Sequence, residues 1–227
     1  MEALKLRDMD RAMAINRQLD ANAVRSIDIR WSQTQRMRDV LYVNKKGFNL
    51  SAYKHGSIQG EVADNIQKGL TELSKFVNEP LLDNLQLVPE MKRIQINYVP
   101  NIRSFVTKPV NIPEGHIYLG LDSTPTICHE MGHIIEYNNP EVLNRAMGFV
   151  EKRAAGQSPH WLGNGFDKDE VGWNDKLFMN IYIGKKYPDA TEVTSMGLQY
   201  FYLDPYTMAS KDPEYFDLIY NILRGIF

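Results

Sequence analysis

His129 and His133 lie four residues apart with Glu130 between them, in the run Thr-Ile-Cys-His-Glu-Met-Gly-His-Ile-Ile-Glu-Tyr at 126–137. No other feature of the chain constrains it as much. On a helix, residues at i and i+4 project from one face, one turn apart. Two imidazole nitrogens placed this way reach a single zinc ion at about 2.0–2.1 Å. Glu130, next to His129, then reaches a water in the metal's open position and takes its proton, because zinc lowers that water's pKa toward ~7. Such a site needs 125–137 to be a helix with one face on a cleft and the rest in a core. Thr124-Pro125 reads as an N-cap followed by proline at the first helical position. Ile127, Ile134 and Ile135 supply the buried side, and Cys128, about 100° around from His129, reads as core. Gly132 costs about 1 kcal/mol inside a helix, which points to a close packing partner or to the metal cleft at that position. Two helix histidines in ordinary hydrogen bonds would show the same spacing; the capped helix with its apolar flanks favours the metal.

The surrounding pattern is that of an α+β chain: helices, then a small mixed or antiparallel sheet, then a mostly helical C-terminal half. Residues 1–46 read as a polar helical arm, with Ala12, Ile15 and Leu19 as one stripe and Ile27, Trp31, Met37, Leu41 and Val43 as a second. The arm reads as scaffold or partner contact, ahead of a main domain over 47–227. Val62, Ile66, Leu70, Leu73 and Val77 place a helix over 57–78. Ile94, Ile96 and Tyr98 alternate with polar residues as a half-buried strand does. Further strands are expected at 102–106 and 116–121, with His116 and Tyr118 as candidates to line the cleft. Asn139-Pro140 starts a helix to about 155. Residues 156–175 read as a long irregular loop, with His160 a candidate for substrate contact. Residues 177–183 are expected to form a short strand, another helix starts near Asp189 or Thr191, and Asp212-Pro213 caps the last.

Composition excludes some function classes. With 26 Lys+Arg against 28 Asp+Glu, the formal charge of −2 argues against a general nucleic-acid binder. A single cysteine rules out a disulfide within the chain and leaves histidine and carboxylate as the metal ligands to expect. The opening MEALKLRDMD lacks the apolar core of a signal peptide, and no run approaches the ~20 apolar residues of a membrane span. A cytoplasmic or virion-associated protein is the expectation.

A catalytic zinc takes three protein ligands and keeps one open position. Glu136 and Glu192 are the candidates for the third. Glu136 lies on the face of His129 but a turn beyond His133, which suits a group supporting the ligands better than a ligand. Glu192, Ser195, Gln199 and Tyr202 form a polar stripe on an otherwise apolar helix. A glutamate favoured by the helix dipole would also sit at position 192. Tyr202 shares that stripe and is the first choice, among 12 tyrosines, for stabilising an oxyanion.

HEMGH following the run HIYLGL resembles the active-site helix of the zincin metallopeptidases. The resemblance covers about 90–210. A metzincin would carry glycine and histidine where this chain has Glu136 and Asn139, so the similarity is to the gluzincin pattern, in which a glutamate on a later helix completes the site. The segment TEVTSMGLQYF resembles the second motif of zincin-like domains linked to bacteriophage head-morphogenesis proteins and to toxins. These resemblances imply Zn2+ held by His129, His133 and Glu192, with Glu130 as general base against a protein or peptide substrate. They imply a strand at 115–121 lying along the cleft at the sheet edge. They also imply an alternative: a non-catalytic or narrowly specific assembly protein, phage head-associated, with a phage or toxin-system partner bound through the arm.

Overall fold

The computed structural model describes residues 34, 36–42, 51–54, 58–79, 81, 93–107, 116–173 and 176–227. Among them it is a mixed α+β protein. Strand β1 (Ser51–Lys54) precedes helix α1 (Gly60–Phe76). Three strands follow: β2 (Arg93–Tyr98), β3 (Phe105–Thr107) and β4 (His116–Leu119). Helices α2 (Thr124–Asn138) and α3 (Pro140–Ala154) come next, then the two-residue strands β5 (His160–Trp161) and β6 (Val171–Gly172). A 3₁₀ turn at Ile181–Gly184 leads to α4 (Val193–Leu203), α5 (Pro205–Lys211) and α6 (Pro213–Arg224).

The sheet order is β1-β2-β4-β3. β1, β2 and β4 are parallel, and β3 pairs antiparallel with β4 at the edge. The expectation that residues 115–121 form the cleft-side edge is therefore corrected: β4 is internal, and β3 holds that edge. Ile96, Ile117 and Leu119 turn into the core, as period-two alternation dictates. His116 and Tyr118 take the other face, where Tyr118 stacks on Phe105 at 4.7 Å between ring centroids.

α2 is central. α1 lies against it so closely that a Cβ on Gly69 would come within 2.5 Å of Ile127 Cδ1. On its other flank a Cβ on Gly132 would lie 2.4 Å from Ser195 Cα in α4. The close partner expected from Gly132 is thus the α4 backbone. Gly197, two residues on and so on another side of α4, admits Ile219 of α6 instead. Two carbonyls are bound by Arg224 from α6, Phe76 O at 2.9 Å and Leu41 O at 2.6 Å. This ties α1 to residues 36–41, which are helical, with Met37 and Leu41 fully buried. The remainder of the arm's apolar pattern, Ala12 to Trp31 and Val43, and the boundary at 46/47 fall outside the described residues.

One local expectation is corrected. Residues 177–183 do not form a strand; Phe178 anchors a turn by packing on Phe149 at 6.2 Å, and 181–184 wind as 3₁₀. The helix expected from near Asp189 or Thr191 begins at Val193, and Asp212 caps the last helix as expected. Asp204, followed by Pro205, stops α4 and caps α5 by accepting Thr207 N–H at 3.0 Å. Among the described residues no helix is long and apolar enough to cross a membrane.

Candidate metal centre

α2 carries His129, Glu130 and His133 on the side facing α4 and the cleft, while Ile127, Ile134 and Ile135 are buried behind them. Glu192 is the N-cap residue of α4, with its side chain 1% exposed. Its Oε2 lies 3.3 Å from His129 Nε2 and 3.2 Å from His133 Nε2. One ligand atom from each of the three residues lies within 4.8 Å of the others. Glu136, the alternative, does not join them. Its carboxylate accepts Thr191 N–H at 2.6 Å and Thr191 Oγ1–H at 2.8 Å. Thr191 Oγ1 in turn accepts Val193 N–H at 3.0 Å. A buried acid on the histidine helix therefore holds the chain on both sides of Glu192.

The donor set suits a divalent cation. Gln199 presents its amide oxygen to His129 Nδ1 at 3.1 Å. An amide oxygen only accepts, so Nδ1 carries the proton and, in the neutral ring, Nε2 directs a lone pair at the Glu192 carboxylate. A lone pair facing a carboxylate oxygen at 3.3 Å calls for a positive charge between them. In tetrahedral coordination with bonds of about 2.0–2.1 Å, ligand atoms lie about 3.3 Å apart. Both separations at Glu192 Oε2 match that figure. Glu192 is also oriented: Tyr187 donates to Oε1 at 2.6 Å and Ser195 to Oε2 at 2.8 Å. Burial works against its ionisation, but the adjacent His133 and His129 hold its pKa well below the ordinary carboxylate value.

Glu130 is 3% exposed, and its Oε2 has no partner among the described residues. Burial raises its pKa; His129 and His133 pull the other way. A buried, unpaired carboxylate oxygen costs ~1–3 kcal/mol. Cys128 is fully buried, its thiol pushed up by that burial.

The cleft has two lobes. One of about 310 Å³ runs past His129, Glu130, His133 and Glu192 to Phe105 and Val106 of the edge strand. The other, of about 420 Å³, shares His129 and Glu130 and extends to Phe166 and Gln199. The opposite wall comes from residues that sequence patterns did not single out. Tyr182 stacks beside His129 at 6.2 Å between ring centroids and accepts from Arg103 at 2.7 Å. Tyr187 and Lys185 complete that wall. Tyr202, the expected oxyanion tyrosine, is elsewhere: it lines neither lobe, and Arg38 lies over its ring at 4.8 Å. Ten residues of helix carry it about 15 Å from Glu192. His160 is exposed in β5, and neither His116 nor Tyr118 lines either lobe.

Comparison with protein-family models, with curated proteins and with solved structures found no match. What the residues themselves define is an α+β protein with a His-His-Glu cluster suited to a metal ion, set in an open cleft.

Proposed function

We propose that this chain is a zinc-dependent peptidase with the gluzincin arrangement, built on a zincin-like fold. The observation that carries the reading is the convergence of His129 and His133 from α2 with Glu192 from the start of α4. Glu130 sits beside them on the cleft wall. The antiparallel edge strand β3 supports it further, because Phe105 and Val106 line the same lobe and give an extended peptide a wall to lie along.

His129, His133 and Glu192 would hold the ion. Zinc bound there supplies Lewis acidity toward a carbonyl and acidifies a water. Glu130 removes a proton from the attacking water as the oxygen joins the peptide carbonyl carbon. It returns that proton to the amine nitrogen as the C–N bond breaks, so its own charge is restored at the end of the cycle. Tyr182, whose hydroxyl accepts from Arg103, lines the same lobe as Glu130 and would supply a donor to a developing oxyanion. Gln199 fixes His129 in the tautomer that frees Nε2 for the metal.

The test pairs hydrolysis with metal content. Wild type and Glu130→Gln are assayed against an unfolded protein substrate, with bound zinc quantified in both. Both should hold about one zinc, and the variant should lose about 10²–10⁴-fold in rate. Full hydrolysis by the variant would refute the mechanism.

A further inference from the structure

Arg103 is the cationic side chain common to both lobes of the cleft, which it lines together with His129, Glu130 and Tyr182. It precedes β3 and reaches across to the opposite wall. Nη1 donates to Glu170 Oε1 at 3.0 Å and Nη2 to Tyr182 Oη at 2.7 Å. The guanidinium also lies 5.3 Å from the centroid of the Tyr182 ring. Its orientation is thus set before any ligand arrives, yet the side chain remains 55% exposed. A guanidinium has five N–H donors, and two make these bonds. The exposed edge gives onto the cleft.

The local charge adds to this. Lys185 pairs with the same Glu170 oxygen that Arg103 uses. One carboxylate therefore faces two cations and leaves a net positive charge on that wall. The acids that line the two lobes are Glu130 and Glu192. Both are committed to the water and the ion in the reading above. An oriented guanidinium with spare donors, in a cleft partly shielded from water, is matched by a carboxylate, which it binds through charge-assisted and often paired hydrogen bonds.

We propose that Arg103 is a specificity-determining residue that selects peptides carrying a carboxylate next to the bond to be cleaved. The proposal rests on the peptidase reading and adds its substrate class. An Asp or Glu side chain and a free C-terminal carboxylate share the required chemistry.

The experiment uses zinc-loaded full chain and matched peptides. One pair differs by Glu against Gln beside the cleaved bond; a second differs by a free against an amidated C-terminus. Wild type should favour the carboxylate member of one pair by about 10–100-fold in kcat/KM, mostly through KM. Whichever pair shows the preference identifies the source of the carboxylate. Arg103→Gln should collapse that ratio toward one. Arg103→Lys should keep part of it, because a point charge replaces the planar fork. Equal cleavage of both members by wild type, or an unchanged ratio in Arg103→Gln, overturns the proposal while leaving the peptidase reading intact. If no Glu130-dependent hydrolysis of any peptide occurs, the peptidase reading fails. Calorimetric binding of the same pairs to zinc-loaded Glu130→Gln then decides Arg103 separately: carboxylate selectivity that Arg103→Gln abolishes supports its role, and its absence overturns it.

Discussion

The two walls of the cleft are built on different principles. On one side α2 and α4 meet backbone to backbone at Gly132 and Ser195, and the three candidate metal ligands are 1–13% exposed. Two of the three are held from behind, His129 by Gln199 and Glu192 by Tyr187, while Glu136 clamps Thr191. On the other side Arg103, Glu170, Lys185 and Tyr182 form a web of ion pairs and hydrogen bonds between the edge strand and the 160–187 segment. Within that web Glu170 and Lys185 are 12% and 10% exposed, and Arg103 alone is more than half exposed. The contrast separates two demands. Metal ligands must be fixed to within tenths of an ångström, which dense packing provides. A group that meets a ligand must give way and re-form, which the exposed guanidinium of Arg103 permits at small cost.

Substitutions on the two walls should therefore differ in size and kind. Gly132→Ala forces the helices apart, since the new methyl would lie 2.4 Å from Ser195 Cα and 2.7 Å from Ser195 N. A loss of about 3 kcal/mol in denaturant unfolding is expected, with zinc affinity falling alongside. Glu136→Gln should leave the apo fold close to intact by far-UV circular dichroism. It should nevertheless weaken zinc binding about 10–100-fold in chelator competition, because the segment bearing Glu192 loses its charged anchor. Unchanged affinity would show that α4 is positioned by packing alone.

The web should answer far more weakly. Burial alone would raise the pKa of Glu170, but Lys185, the Asp167 N–H and Arg103 together bring it down to about 2. A folded pKa below the unfolded one means stability that is present above the ordinary value of 4.5 and lost as pH falls toward 2. Glu170→Gln should cost under about 1 kcal/mol at pH 6. The melting-temperature gap between wild type and this variant should shrink as pH falls from 6 to 3. A gap that widens on acidification would contradict the pairing.

The metal side was the more legible in the sequence, and for a physical reason. Its candidate ligands sit on a helix or at a helix start, where a period near 3.6 turns spacing into geometry: His129 and His133 share a face, and Glu192, Ser195 and Gln199 make one line. The helix expected over 125–137 is seen as Thr124–Asn138, and that from 140 to about 155 as Pro140–Ala154. The same periodicity misled at Tyr202, since sharing a stripe says nothing about how far along the helix the contact extends. The second wall has no such period. Tyr182 stands in the 3₁₀ turn and Tyr187 in the irregular chain after it, and Arg103 meets Glu170 across 67 residues of chain. Strand order is equally non-local, and nothing in the pattern of 115–121 shows that short β3 lies outside β4. In 177–183 a run of apolar residues serves a turn around Phe178, which an apolar run alone cannot distinguish from a strand.

Crystals grown with zinc and measured on either side of the zinc absorption edge test the central claim most directly. A single strong anomalous peak is expected about 2.0–2.1 Å from His129 Nε2, His133 Nε2 and a Glu192 oxygen, with Glu136 still bound to Thr191. A peak ligated by Glu136, or zinc bound away from His129 and His133, would contradict it.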